Sequence, residues 1–178
     1  MEIIYKAALA LMIILAVTPS IAVTHAQTND KPCSAPDASQ FDFWLGNWKA
    51  EWKDSEGKTQ HARNSIVKNF NDCVIEENFV TDDYTFMGKS LTVYNLRQKI
   101  WQQTWVDNTG TCMDFTGGKD GENMFMQRIV KNNVGKEIIQ KMTFTDIKEN
   151  SFIWNWESSS DNGSTWVLNW QILYKRIK

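Results

Sequence analysis

The stretch Trp101-Gln102-Gln103-Thr104-Trp105-Val106-Asp107 decides the fold. Successive side chains of an extended ribbon point to opposite faces, so Trp101, Gln103, Trp105 and Asp107 share one side and Gln102, Thr104 and Val106 the other. The aromatic side is the one expected to face inward. The same alternation places Phe152, Trp154 and Trp156 on one face, as it does Trp166, Leu168, Trp170, Ile172 and Tyr174, and Trp48 with Trp52. Burying one indole of roughly 200 Å² contributes on the order of 5 kcal/mol gross at ~25 cal/mol per Å². With nine tryptophans in the chain, that is a substantial core.

Working outward from this stretch, period-two runs are expected as strands near Trp48 to Lys53, Thr59 to Asn69, Cys73 to Val80, Gly88 to Leu96, Ile100 to Val106 and Thr111 to Thr116. They continue near Asn123 to Val130, Glu137 to Ile147, Ser151 to Ser158 and Thr165 to Arg176. Between them stand short clusters rich in Gly, Asn and Asp, such as Asp54-Ser55-Glu56-Gly57, Asp107-Asn108-Thr109-Gly110 and Asp161-Asn162-Gly163. Such clusters reach positive φ cheaply and favour hairpins in chain order. No proline follows Pro36, so every later backbone N–H is free to join a ladder. A meander of short strands has exposed edges unless it closes. The expected fold is therefore all-β, an antiparallel up-and-down barrel of about ten strands.

The chain has 178 residues with 42% hydrophobic content and a formal net charge of -2. This suits one domain, and it leaves no basic surplus to neutralise a phosphate backbone, so nucleic acid is not an expected partner. The opening Met1-Glu2-Ile3-Ile4-Tyr5-Lys6, the uncharged run Ala7 to Val17 and the small residues ending Thr24-His25-Ala26 read as a signal peptide over 1–26, with Ala22 as the alternative cleavage point. Its apolar run of about 11 residues is too short to cross a bilayer core, so no membrane anchor is expected after cleavage. The chain then divides into the signal peptide 1–26, a flexible tail 27–40 and a barrel domain 41–178, in a periplasmic or secreted protein. Oxidising compartments pair cysteines. Of Cys33, Cys73 and Cys112, the pairing Cys33 to Cys73 is favoured because it ties down the tail, while Cys112 reads as a small buried strand residue. Cys73 to Cys112 closes a loop of nearly the same length and is the alternative, as are three free thiols.

Several polar side chains fall on the inward faces. Glu77 lies beside Ile75 and Phe79, Arg128 accompanies Met124 and Met126, and Gln103 and Asp107 accompany the tryptophans. Buried charges need partners or shift their pKa; a Glu77–Arg128 pair is one arrangement, and an internal polar network with bound water is the favoured one. Glu77, Gln103, Trp105, Asp107, Arg128, Trp154 and Trp156 form the expected ligand-binding set, against the plainer reading of an internal polar network with bound water. No His/Cys spacing approaches a zinc cluster, so no metal is expected.

The segment Gln40-Phe41-Asp42-Phe43-Trp44-Leu45-Gly46-Asn47-Trp48 resembles the opening of an uncharacterised, mostly bacterial family of lipocalin-like proteins, and Gly46-x-Trp48 is similar to the calycin signature. The resemblance implies a first-strand tryptophan near the barrel floor with a basic side chain from the last strand packed on it. Arg176 in Leu173-Tyr174-Lys175-Arg176 occupies the matching basic position. The nitrobindin type of haem barrel draws its axial ligand from late in the chain, whereas the histidine left after signal cleavage is His61, so no cofactor is expected. Ser159-Ser160-Asp161-Asn162-Gly163-Ser164-Thr165-Trp166 is similar to the Asp-box turn of sialidase propellers and is read as a structural turn with Trp166 packed beneath it.

Three functions follow for testing. The leading one is an exported barrel holding a small apolar or amphipathic ligand in its interior. The second is an enzyme with Glu77 or Asp107 as general base and Arg128 or Gln103 orienting an oxyanion; Ser65 and Ser90 have no plausible base beyond His61. The third is an envelope interaction protein with a solid core, acting through loops at Asp82 to Thr85 and Gly117 to Gly121. The pattern sets no oligomeric state.

Overall fold

In the computed structural model, which describes residues 33–178, the alternating runs form strands. They are β1 (Gly46–Lys53), β2 (Thr59–Asn69), β3 (Val74–Thr81), β4 (Met87–Asn95) and β5 (Ile100–Asp107), then β6 (Cys112–Asp120), β7 (Asn123–Lys131), β8 (Glu137–Lys148), β9 (Ser151–Ser159) and β10 (Val167–Arg176). Each pairs antiparallel with its neighbour in sequence, and β1 pairs with β10 to close the barrel. This is the all-β, up-and-down architecture expected, consistent with a lipocalin-like barrel. The expected signal segment 1–26 and residues 27–32 lie outside the described residues.

Asx turns build one end of the barrel. Asp54 Oδ1 accepts the N–H of Glu56 and Lys58, Asp107 Oδ1 those of Thr109 and Thr111, and Asn132 Oδ1 those of Val134 and Lys136. Asp161 Oδ1 accepts from Thr165 N–H. In each case a short side chain satisfies backbone donors that the hairpin strands cannot. The carboxyls of Asp107 and Asp161 are held down at about 2, first by the hydroxyls of Thr109 and Thr165 respectively.

The opposite end is plugged. Residues Pro36–Ser39 and Asp42–Trp44 form two 3-10 turns that bring Phe41 and Trp44 into the core at 0% and 2% exposure. Phe41 meets Trp101 and Phe144 edge-on at 4.9 and 5.3 Å. Trp101 Nε1 donates to Gln40 Oε1, and Tyr94 Oη to Asp37 Oδ2. Residues 36–40 thus differ from the flexible tail expected of them: Ala38 is buried, and the turn is anchored through side-chain bonds that no local pattern announces. The disulfide Cys33–Cys73 fastens this segment to the β2–β3 turn. Arg176 completes the plug. Its guanidinium lies 4.1 Å from the Trp48 ring centre and donates to the carbonyls of Leu45, Phe43 and Glu149. The Leu45 and Phe43 carbonyls belong to the plug segment and the Glu149 carbonyl to the β8–β9 turn.

Other expectations are corrected. Cys112 is exposed, being the first residue of β6 rather than a buried mid-strand position. β6 continues through Gly117 to Asp120, so that stretch is strand and not a loop. Gly117 is required there because a Cβ would strike the Phe125 carbonyl oxygen. A register irregularity between Leu168 and Trp170 turns Leu168 outward to 52% exposure. Trp166 precedes β10, and the Lys141 ammonium lies 3.5 Å from its ring centre; Lys141 alternates with the inward Gln140 and Met142, which puts Trp166 outside the barrel.

The barrel wall parts in two places, between β1 and β10 beyond Glu51↔Leu173 and between β6 and β7, and the second lies beside Arg128. β6 and β7 pair from Thr116↔Gln127 to Asp120↔Asn123. Beyond that, Cys112 to Phe115 pair with β5 alone and Arg128 to Lys131 with β8 alone.

Candidate functional site

Above the aromatic plug lies a cavity of about 340 Å³, at the lower end of the range of small-molecule pockets. Alternation on the strands supplies its walls. Trp154 and Trp156 of β9 lie parallel with centres 6.3 Å apart, Trp170 of β10 meets Trp154 edge-on at 5.5 Å, and Trp156 meets Phe115 of β6 at 5.9 Å. Opposite them, Trp105 of β5 stacks on Phe86 at 6.3 Å. Gly88 on β4 makes room for that ring, since a Cβ there would enter the Trp105 indole. Met113 and Met142 complete the apolar lining.

The floor is polar. Glu77, 8% exposed, accepts from Asn64 Nδ2 and Ser90 Oγ at 2.7 Å each. Gln103 Nε2 donates to Thr92 Oγ1 at 2.9 Å and more weakly to Ser90 Oγ at 3.3 Å. Asn64 Nδ2 also lies 3.5 Å from Tyr174 Oη. Burial pushes the Glu77 carboxyl above its ordinary range, against the bonds from Asn64 and Ser90 that favour the charged form. Burial likewise drives the Tyr174 phenol well up, with the Glu77 charge a lesser cause. A neutral Glu77 removes that lesser cause without changing the direction.

This internal network stands in place of a Glu77–Arg128 pair, which the structure does not form. Arg128 instead donates from Nε to Gln140 Oε1 at 2.8 Å and sits over the Phe115 ring at 5.5 Å. Register decides the difference, because Glu77 lies opposite Ser90 and Ile66 on its neighbouring strands, whereas Arg128 lies opposite Gln140. Asp107, at the hairpin end, accepts from Trp105 Nε1 at 2.9 Å and from Thr109 Oγ1, so its charge is committed to the turn. Glu77, Gln103, Trp105, Asp107, Arg128, Trp154 and Trp156 all border this one cavity.

Sequence reasoning did not single out Asn64, Thr92, Gln140, Tyr174 or Trp170 for the interior chemistry, nor Ser90 as a partner of Glu77. The alternation of Ala62, Asn64 and Ile66 already put Asn64 on an inward face. Its meaning depended on knowing that Glu77 was its neighbour across β2 and β3. His61 is on the outer side of β2, with Nδ1 4.0 Å from Glu51 Oε2. Among the described residues there is no group of three or more His, Cys, Asp or Glu side chains arranged to hold a metal.

A buried carboxyl with a raised pKa binds its proton more tightly folded than unfolded. Its stabilising share is therefore full below the unfolded value near 4.5 and declines as pH rises through the folded value. Glu77→Gln is expected to melt higher than the parent at about pH 8 and to lose that advantage near pH 4. Melting curves at the two pH values check this, and an advantage that is larger at the lower pH would contradict it.

Fold and cavity together define a closed β-barrel with a ring-lined central chamber, an architecture compatible with a calycin-like ligand-binding barrel. No family model matches the chain, and no curated protein matches it.

Proposed function

We propose that this protein is an exported carrier or sensor barrel that holds a small apolar or amphipathic molecule in its central cavity. The observation that carries the reading is the interior cavity of about 340 Å³ walled by Trp105, Trp154, Trp156 and Trp170. A core selected only for stability closes such space, since a void forfeits dispersion contacts along its whole lining. Export is supported by the Cys33–Cys73 disulfide, a bond suited to oxidising compartments, and by the signal-like opening of the sequence. Among the described residues no helix is long and apolar enough to cross a membrane. Membership of the uncharacterised lipocalin-like family is part of the proposal, supported by Arg176 stacked on Trp48.

Native mass spectrometry of protein purified without denaturation from its own host tests the binding. A reproducible small-molecule adduct at one copy per chain, lost on acid unfolding, is the expected result. Bare protein in every preparation would count against the reading.

A further inference from the structure

We propose that the cavity takes amphipathic monoanions, an acidic group on an aromatic or short aliphatic body, and that Arg128, standing where the wall splits between β6 and β7, binds the anionic end. The inference rests on the cavity being a binding site and names what that site selects.

Arg128 is held at one end of its fork. Its Nε–H is fixed by Gln140 Oε1 at 2.8 Å and its guanidinium lies over Phe115, so two contacts set the fork. Among the described residues, neither terminal nitrogen makes a hydrogen bond or an ion pair. The carboxylate whose charge bears on it is Asp114, on the outward face of β6. The acidic groups bordering the cavity are engaged elsewhere, Glu77 with Asn64 and Ser90, Asp107 with Trp105 and its own turn. A guanidinium set over a phenyl ring, with Asp114 acting on it only from the outward face and no ion pair of its own, favours an incoming anion, and its fork geometry suits two oxygens at once.

Two further observations point the same way. The indole N–H of Trp170, which borders the same cavity, is buried and has no acceptor among the described residues. The split itself opens an outer cleft of about 600 Å³ that shares Gln103, Phe115 and Arg128 with the interior cavity. Because β6 and β7 part above Thr116↔Gln127, no paired strand covers the guanidinium from that side.

The test is a fluorescence titration of the chain with two dyes of nearly the same body, neutral N-phenylnaphthylamine and its anionic counterpart anilinonaphthalene sulfonate. The wild type is expected to bind the sulfonate about tenfold or more tightly than the neutral dye, the share a charge-assisted contact supplies. Arg128→Gln should erase that preference by weakening the sulfonate about tenfold more than the neutral dye, and a melting curve on the same sample shows that the variant folds. Arg128→Lys should keep part of it. Equal affinity for both dyes in the wild type, or equal weakening of both by Arg128→Gln, overturns the assignment of Arg128 while leaving the binding cavity standing. Uptake of neither dye by the wild type refutes the cavity reading and this inference with it.

Discussion

Replacing Cys33 and Cys73 together by serine is expected to cost about 4 kcal/mol of stability, the chain-entropy value for a loop of this length. The bond spans a sequence separation of 40, and the loop it closes contains β1 and β2. More than loop entropy is involved. The bond holds the segment carrying Ala38, Gln40, Phe41 and Trp44 against the plugged end, where Phe41 is fully buried between Trp101 and Phe144. Thermal melting of the variant checks this, with a fall on the order of 10 °C expected for a domain of this size. Reducing agent should lower the wild-type transition by a similar amount. Cys112→Ser should leave it unchanged, because that thiol is exposed and outside the bond. A double variant melting within a degree or two of the parent would show that the plug docks without its tether.

Legibility of the sequence followed the range of the interactions involved. Strands and hairpins were readable because alternation and Asx turns are local: Asp54, Asp107, Asn132 and Asp161 each accept backbone N–H groups within four residues of themselves. The inward face of β5 was readable for the same reason, and so was the inward placement of Trp154 and Trp156. What depended on register across strands was not readable. Glu77 meets Asn64 and Ser90 because of how β2, β3 and β4 align, and a pairing with Arg128 was open only while that alignment was unknown. Leu168 lies outward because of a local irregularity, since one extra residue in a strand puts the side chains before and after it on opposite faces, and Trp170, Ile172 and Tyr174 after it keep the inward one. Cys112 failed at an element boundary, where alternation carries little weight. The Cys33–Cys73 tether was favoured from the sequence and the resemblance placed Arg176 on Trp48, but the docking of Phe41-Asp42-Phe43-Trp44 was hidden because it has no period of its own and depends on bonds from Arg176 to Leu45 and Phe43 and from Trp101 to Gln40, at sequence distances no window covers.

Gly88→Leu is expected to remove most of the interior's capacity to take up an apolar molecule. Gly88 carries no side chain where the Trp105 indole lies, and even a Cβ at this position would overlap the ring. Leucine must therefore displace Trp105, and the adjoining free space is the cavity that Trp105 borders. Overpacking of this kind costs about 1 to 3 kcal/mol, which the barrel should survive, so loss of uptake can be separated from loss of fold by a melting curve on the same sample.

The most direct measurement is the titration of wild-type and Gly88→Leu protein with N-phenylnaphthylamine, read as energy transfer from tryptophan to dye. The wild type should saturate at one dye per chain with strong quenching of the indole emission, and the variant should bind about tenfold more weakly or worse. A wild type that shows no transfer, or a folded variant that binds as tightly as its parent, would contradict a ligand chamber walled by these rings.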